Sequence, residues 1–356
     1  MNPVFRPRRL VGLICCAAAA LILQFSPSLA TAADKPAYMN LSWQQVATRM
    51  PDDWYGSDEA KAVLEIVLKY QTEIGGWAKN TGYHNEDHVN QEEWARIQQS
   101  GVGATFDNGS TLREMRFLAK VYSKTKDERS RDAFLKALDY IFKAQYANGG
   151  WPQYFPYRKN KSAYSSHITY NNNVMTSVLR FLKEISEDQS EFAALQLGDQ
   201  IRQRAAEAFD KGVECILKTQ IRVNGKPTVW CAQHDEFTLA PTGARSYELA
   251  SFSGAESVGV VSLLMELEQP TPEIMVAVQS AIEWFEAHKI SGIRVEEIVN
   301  ADGKKDRVVV EDSSAPALWA RFYDLETGKP FFCDRDGIKK DTLAEIGIDR
   351  RGGYSW

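Results

Sequence analysis

The most constraining feature of this chain is an internal repeat. The segments YQTEIGGW (residues 70–77) and AQYANGGW (residues 144–151) share a Gln, three further residues and then Gly-Gly-Trp. A weaker third copy, TQIRVNGKPTVW, ends at Trp230, and its Gln220 lies 75 residues after Gln145. A repeat of this kind predicts similar supersecondary units that bury their apolar faces against one another.

Each copy of the motif closes an amphipathic helical segment. In DAFLKALDYIFKAQY the apolar residues recur at helical spacing, and Gly149-Gly150 follows as a stop signal. Further helical segments are GSTLREMRFLAKVYSKT, NNVMTSVLRFLKEIS, SGAESVGVVSLLMELEQ and PEIMVAVQSAIEWFEAHK. The pattern predicts an all-α fold: an α/α toroid of three helical-hairpin repeats, with irregular long loops and a short non-helical C-terminal segment after Ile290.

Residues 1–33 have the pattern of a secretory signal peptide. Three Arg residues precede an apolar run over residues 10–23, and the small-residue sequence Ala-Thr-Ala follows at 30–32. The run is short against the ~20 residues that a membrane span needs. We therefore expect a secreted or periplasmic protein with no membrane association after cleavage, a linker at 34–41 and one domain at 42–356.

Cysteine usage and charge exclude several classes of protein. Cleavage would leave only Cys215, Cys231 and Cys333, which is too few for a disulfide framework, and no Cys/His spacing indicates zinc. The formal net charge is −5, and loss of the leader's Arg residues makes the chain more acidic. Nucleic-acid binding is therefore not expected, and an anionic substrate would need local Arg and Lys or a bridging metal.

The unusual polar residues fall in the loops between the helical segments. Lys79 and Asn80 follow the first motif, Asp107 lies in ATFDNGST, and SSHITYNNNVM contains three consecutive Asn at 171–173. A helix N-cap is an alternative explanation for Asp107. The Asn residues could cap a helix, hydrogen-bond to a sugar or offer amide oxygens to calcium.

The segment WCAQHDEFTLAPTGARSYELASFSGAES (residues 230–257) combines an imidazole, carboxylates and one guanidinium. Arg245 follows a Pro-Thr-Gly turn, and Glu248 lies three residues later. A structural salt bridge to Glu248 is one explanation for Arg245. A single His such as His234 is typical of a hydrogen-bonded structural residue.

Seven motifs, in order, resemble those of the pectate lyases of polysaccharide lyase family ten. They are GGWAKN, TFDNGST, QYANGGWPQYFP, HITYNN, the 230–257 segment, WARFYDLETGKPFFCDRDG and RRGGY. The resemblance covers nearly all of the chain after the leader. It implies an α/α toroid enzyme, a pectate lyase, that cleaves polygalacturonate or oligogalacturonates by calcium-assisted β-elimination and gives 4,5-unsaturated products.

The resemblance also implies roles for individual residues. Arg245 matches the family's catalytic base, and Ca²⁺ is expected at Asp107 and Asn172. The residues expected to contact substrate are Arg321, Arg335, Lys79, Asn80, Asn171 and His234. Because a guanidinium has a pKa above ~12, Arg245 needs nearby positive charge or burial to lose its proton. Lys79, Arg321 and Arg335 are candidates for that charge.

One departure from the family pattern leaves a second function open. The family usually has Asn-Asp where this chain has Asn171-Asn172, so an acidic calcium ligand is missing; Ala78 also replaces a usual Pro. The alternative is a catalytically weak or inactive pectin-binding relative that retains the groove. Terpene cyclases share the Gln and Trp pattern but need an Asp-rich cluster that this sequence lacks. We expect a monomer.

Overall fold

The α-helices of the chain follow the apolar periodicity of its sequence. The computed structural model describes residues 36–158, 163–188 and 191–356, so the predicted signal peptide lies outside the described residues. In this part the α-helices are α1 (Trp43–Arg49), α2 (Asp58–Lys69), α3 (Gln91–Ser100), α4 (Leu112–Thr125), α5 (Glu128–Ala144), α6 (Val174–Ser186), α7 (Asp199–Thr219), α8 (Gly254–Met265), α9 (Pro272–Ala287) and α10 (Ile348–Arg351). The five helical segments predicted from the sequence correspond to α4, α5, α6, α8 and α9.

Local signals fix where several helices begin. Ser42 precedes α1 in a capping box, since its hydroxyl accepts the Gln45 N–H and the Gln45 side chain accepts the Ser42 N–H. Thr271 caps α9 with a single bond, since its hydroxyl accepts the Ile274 N–H, and Pro272 occupies the first helical position, where its missing N–H costs nothing.

Consecutive helices pack against each other as pairs. Helix α4 lies against α5, α6 against α7, and α8 against α9, and residues 38–356 form one compact unit. These pairs agree with the helical hairpins predicted from the sequence. The division into three repeats and the closure of the pairs into a toroid stay predictions.

The repeated Gln and Trp residues make the same hydrogen bonds in each copy of the motif. Each Gln side-chain amide donates to a carbonyl near its own turn and to a carbonyl of a later helix: Gln71 to Gly75 and Ala133, Gln145 to Gly149 and Ala208, Gln220 to Thr228 and Ala277. Each Trp is fully buried and donates to the preceding helix: Trp77 to Val67, Trp151 to Ile141, Trp230 to Ile216. The motif therefore joins the C-terminal end of one helix to the interior of a later helix.

The Gln220→Met substitution should destabilise the protein by about 1–3 kcal/mol, because it removes the amide that bridges the buried Thr228 carbonyl to the Ala277 carbonyl of α9. Gln220 is 5% exposed, so water cannot replace the amide. Urea unfolding should show a lower midpoint with an unchanged slope. The control is Gln203→Met on the exposed face of α7; equal losses in both variants would show that the two bridging bonds contribute little.

Short antiparallel strands connect the loops that follow the helices. They are β1 (Ile168–Thr169), β2 (Arg222–Val223), β3 (Lys226–Pro227), β4 (Gln233–His234), β5 (Pro241–Thr242), β6 (Phe252–Ser253), β7 (Ile293–Val299), β8 (Lys305–Glu311), β9 (Phe322–Tyr323), β10 (Phe332–Cys333) and β11 (Lys339–Lys340). The order β1-β4-β5 forms one small sheet, and β6 pairs with β9. These pairings bring distant loops together.

The C-terminal part differs from the prediction of an all-α chain with a short non-helical end. Strands β7 and β8, of seven residues each, form an antiparallel hairpin in which Ile293 lies opposite Glu311. From Ile290 to the end, α10 is the only α-helix in the described residues. The β-branched residues of IRVEEIV and RVVVE favour extended structure. The helical periodicity on which the all-α prediction depends ends upstream of them, with α9.

The N-terminal side of the domain also differs from the prediction. Tyr38 lies within the predicted linker at 34–41, yet it is 5% exposed and its ring centroid is 5.5 Å from that of Trp54. The residues from 38 onwards are therefore packed against the helices.

The described cysteines are buried and free. Within the described ranges, no helix has both the length and the apolar character that crossing a bilayer requires.

Candidate active site

Asp107 lies at the centre of a buried polar cluster. The residue is 1% exposed, and its Oδ2 accepts hydrogen bonds from Lys79 Nζ at 2.5 Å and from Gln153 Nε2 at 3.0 Å. Its Oδ1 accepts from Asn172 Nδ2 at 2.8 Å. Donors from three different loops therefore converge on one carboxylate, which offsets the cost of burying its charge.

Two turns of the same conformation carry this cluster. Asp107–Gly109 and Asn171–Asn173 are short 3₁₀ turns whose middle residues, Asn108 and Asn172, have φ of 55° and 54°. Asn tolerates this left-handed backbone better than most residues. The carboxylate of Asp107 does not cap α4, whose N-cap is Thr111, and no Asn side chain caps α6. The capping explanation therefore does not account for these residues.

Lys79 and Asn80 extend the cluster toward the surface. Burial opposes the charge of Lys79, but the hydrogen bond and the charge of Asp107 outweigh it and raise the pKa of the ammonium group. Its Nζ also lies 5.5 Å from the centroid of the Tyr154 ring. The Asn80 side chain accepts a hydrogen bond from Asn108 at 2.9 Å.

Arg321 lies beside this cluster because β9 pairs with β6. The pairing places the residue just before β9 against the first turn of α8, where Arg321 Nη2 donates to Glu256 Oε1 at 2.6 Å. The same nitrogen donates to Asn171 Oδ1 at 3.1 Å. Burial opposes the charge on Arg321, but Glu256 outweighs burial and raises the pKa of the guanidinium.

Arg245 forms a two-point ion pair with Glu248. Its Nε donates to Glu248 Oε2 at 2.8 Å, and its Nη2 donates to Oε1. The Tyr354 hydroxyl donates to the same Oε1 at 2.6 Å, and Glu248 is 3% exposed. Partial burial opposes the charge of Arg245, but Glu248 outweighs it and holds the pKa of Arg245 above its ordinary value.

The rings of Tyr247 and Tyr354 contact the guanidinium groups of the site. Tyr354 lies 4.7 Å from the Arg321 guanidinium carbon, and Tyr247 lies 4.9 Å from that of Arg245 and 6.0 Å from that of Arg335. We refer to the five basic side chains of this region as the cationic strip: Lys79, Arg321, Arg245, Arg335 and Arg350. The strip is joined through Asp107, the two Asn residues at 171 and 172, and the tyrosine rings.

His234 does not belong to the strip. It is completely buried in β4, with Nδ1 2.9 Å from the Leu239 carbonyl and Nε2 accepting from the Cys231 N–H at 3.1 Å. Burial lowers its pKa to about 4, so the ring is neutral. Both ring nitrogens are engaged by the main chain, and this position does not support the predicted contact with substrate.

Five residues of this region received no site role from the sequence: Gln153, Tyr247, Glu256, Arg350 and Tyr354. All five lie within motifs of the resemblance, namely QYANGGWPQYFP, the 230–257 segment and RRGGY, so the resemblance marked their segments without giving them a role. Glu256 is 65 residues from Arg321. No spacing rule pairs side chains at such a separation.

The oxygen atoms around Asp107 are chemically suited to a hard cation. Calcium prefers carboxylate and amide oxygens, which Asp107, Asn171 and Asn172 carry. In this structure the Asn172 amide presents Nδ2 to Asp107, and Asn171 Oδ1 accepts from Arg321, so both amides would have to turn toward an ion. The cluster has a single carboxylate, however, and Lys79 already neutralises it. The residues therefore fit calcium in kind, but with less negative charge than a site formed by the protein alone would need.

A second group of possible metal ligands lies at the other end of β1. One ligand atom each from His167, Asp235 and Glu236 lies within 4.8 Å of the others. His167 Nδ1 is 2.8 Å from Glu236 Oε2, and Asp235 Oδ1 accepts the N–H of Thr238 at 2.7 Å. No metal role is predicted for these residues from the sequence.

The comparisons with known proteins identify the family. A model of the pectic acid lyase family (Pec_lyase) matches residues 71–356. A mutant of a family 10 polysaccharide lyase from Cellvibrio cellulosa, in complex with trigalacturonic acid, is 35% identical with a TM-score of 0.72, covering 88% of this chain and 91% of that chain. A second structure of the lyase from that organism is 34% identical with a TM-score of 0.72, covering 88% and 90%. The comparison with curated proteins gave no match. The family match and the two structures support polysaccharide lyase activity for this chain, and the chain therefore belongs to the pectic acid lyase family.

Proposed function

We propose that this protein is a pectate lyase that cleaves polygalacturonate by calcium-assisted β-elimination, with Arg245 as the base. The observation that supports this most is the cationic strip, which runs from the Asp107 cluster to Arg335. A run of cations is suited to a polymer with a carboxylate on every sugar. The complex of a relative with trigalacturonic acid supports the same class of ligand.

The reaction removes the proton on C5 of a galacturonate and breaks the bond from C4 to the glycosidic oxygen. The electron pair from the C5–H bond forms the 4,5 double bond, and the leaving oxygen takes up a proton. Negative charge develops on the carboxylate at C5 in the transition state. Fixed cations such as Arg321 and Arg335 would stabilise that charge, and a guanidinium can hold a carboxylate by two hydrogen bonds.

Asp107 and Asn172 would hold calcium, with Asn171 supplying a further oxygen. Bound calcium would neutralise substrate carboxylates and stabilise the enolate-like charge. Because the protein provides one carboxylate that Lys79 already pairs with, the substrate's own carboxylates would complete the charge needed to hold the ion. We therefore expect calcium and substrate to bind together more tightly than either binds alone.

Arg245 must be neutral to accept the C5 proton. The ion pair with Glu248 favours the protonated form. Positive charges close to Arg245 act in the opposite direction. Base catalysis by Arg245 therefore depends on the balance between Glu248 and the other guanidinium groups of the strip.

The Asn172→Asp substitution should lower the calcium concentration needed for half-maximal activity. It would place a second carboxylate beside Asp107, where Asn172 now donates at 2.8 Å, and added ligand charge strengthens calcium binding. The measurement is the initial rate as a function of free calcium. The control is Asn224→Asp, an exposed Asn with a similar left-handed backbone, φ 51°. An unchanged or higher calcium requirement would mean that residue 172 is not a ligand.

The alternative function is a pectin-binding protein that no longer catalyses elimination. Both functions predict binding of oligogalacturonates, so turnover separates them. The test is to incubate the purified protein with polygalacturonate and calcium and to follow the ultraviolet absorbance of the unsaturated product. Binding without product would reject the enzymatic proposal and favour the alternative.

We also propose that residues 1–33 are removed on export and that the mature protein is a secreted or periplasmic monomer. The N-terminal pattern of Arg, apolar run and small residues supports export. N-terminal sequencing of the mature protein and its mass in solution test the two parts separately. A mature protein that still begins at Met1 would contradict the export proposal.

A further inference from the structure

Arg350 is a buried guanidinium without an ion-pair partner in the described part of the chain. The residue is 7% exposed, and its Nε and Nη2 have no hydrogen-bond partner there. Buried Arg side chains are normally paired, because an isolated buried charge is costly. Its neighbour Arg351 follows that rule and forms a two-point ion pair with Asp306. Arg350 therefore needs another explanation.

The contacts of Arg350 are the two tyrosine rings that also contact Arg245. Its guanidinium carbon lies 3.8 Å from the centroid of Tyr247 and 4.3 Å from that of Tyr354. The guanidinium carbon of Arg245 lies 4.9 Å and 5.7 Å from the same centroids. The two charges are therefore separated by no more than about one Debye length, ~8–10 Å at physiological salt.

The carboxylate that interacts electrostatically with Arg350 is that of Asp334, which already accepts two main-chain hydrogen bonds. Asp334 accepts the main-chain N–H groups of Gly347 and Arg335, and these bonds, followed by the charges of Arg350 and Arg335, hold the pKa of its carboxyl below the ordinary value. Arg245 and Arg321, by contrast, each contact a carboxylate directly. Arg350 thus leaves a positive charge next to Arg245 without a carboxylate in contact.

We infer that Arg350 is a positioning residue for Arg245: its unpaired charge opposes protonation of Arg245, and its stacking holds Tyr354 against Glu248. This inference rests on the proposed function. Arg245 contacts Glu248 and the rings of Tyr247 and Tyr354. The same two rings carry the other nearby cations, Arg321, Arg335 and Arg350, and Asp334 acts on the last two of these. Glu248 favours the protonated base and the cations oppose it, so removal of one cation should move the balance toward the protonated form.

The test is the pH dependence of kcat/KM for polygalacturonate at saturating calcium. A base must be deprotonated, so kcat/KM rises with pH up to the pKa of Arg245. Since Glu248 holds that pKa above its ordinary value, the readout is kcat/KM at fixed pH values on the rising limb. In Arg350→Gln and Arg350→Met a shift of the limb to higher pH by about 0.5–1.5 units lowers kcat/KM about 3- to 30-fold at each of these pH values. In Arg350→Lys, which keeps the charge, the limb should stay within about 0.3 units of the wild-type position.

The matched control is Arg351→Gln, which removes the adjacent guanidinium and breaks the pair with Asp306. It should lower the melting temperature without moving the limb. A limb at the wild-type pH in folded Arg350→Gln or Arg350→Met, or an equal shift in Arg350→Lys, would overturn the inference while leaving the proposed function standing. Absence of turnover in the wild-type protein would reject the proposed function and the inference with it.

Discussion

The Arg245→Lys substitution should reduce kcat/KM for polygalacturonate by at least about 10²-fold, while oligogalacturonate binding persists. Lys keeps the positive charge but places its nitrogen differently and cannot form the two-point contact with Glu248. General base catalysis typically contributes ~10²–10⁴-fold, which sets the size of the loss. Binding persists because Arg321 and Arg335 remain. Steady-state kinetics and trigalacturonate titration on one preparation measure both quantities.

A purely structural role for Arg245 predicts a different result. If the pair with Glu248 only stabilises the fold, Arg245→Lys lowers the melting temperature and leaves turnover per folded molecule nearly normal. A matched control is Arg180→Lys, since Arg180 makes the same two-point contact with Glu266 on the surface. An active but unstable Arg245→Lys protein would show that the base lies elsewhere.

Removal of calcium by EDTA should abolish elimination, and added calcium should restore it. The chain is acidic, and Lys79, the cation at the Asp107 end of the strip, is already paired with Asp107, so the protein has little free positive charge there to neutralise a polyuronate. Magnesium should restore activity poorly, because it requires near-ideal octahedral geometry and dehydrates reluctantly. The measurement is product absorbance in EDTA and after stepwise addition of each cation. Full activity in the chelator would reject a role for calcium.

Two substitutions distinguish the Asp107 cluster from the other group of possible ligands. Asp107→Asn should raise the calcium concentration needed for half-maximal rate at least about tenfold, since it removes the only carboxylate of the cluster. Glu236→Gln, at the His167 group, should leave the calcium requirement unchanged. The opposite pattern would place the catalytic ion at His167, Asp235 and Glu236.

The helices could be predicted from the sequence because their apolar residues recur at a fixed period over many turns. The β7–β8 hairpin is not indicated by periodicity because its strands are largely exposed, so the alternation of their residues is not set by a buried face. Tyr38 was assigned to a linker since a single aromatic residue shows no periodicity. Its burial against Trp54 depends on a contact that spacing does not indicate.

The site could be predicted in part. The loops that carry Lys79, Asp107 and Asn172 do meet in the structure. Asp107 begins one left-handed Asn turn, and Asn172, in the middle of the equivalent turn, donates to its carboxylate. The ion pair of Arg245 with Glu248 could be predicted, because the two residues are three apart in the sequence. The contacts of Glu256 with Arg321 and of Tyr354 with Glu248 could not, because these residues reach the site only through strand pairing and ring packing. His234 lies in the same motif as Arg245 but faces the core.

The glutamine bridges have a consequence for how the molecule is divided. Each repeated Gln at the end of one helix uses a carbonyl of a later helix as its second acceptor, so α2 is joined to α5, α5 to α7 and α7 to α9. No copy of the motif contains all of its own hydrogen-bond partners. The unit of folding cooperativity is therefore larger than the unit of sequence repetition. Disorder in one helix removes the carbonyl acceptor of the Gln side chain in the preceding copy of the motif.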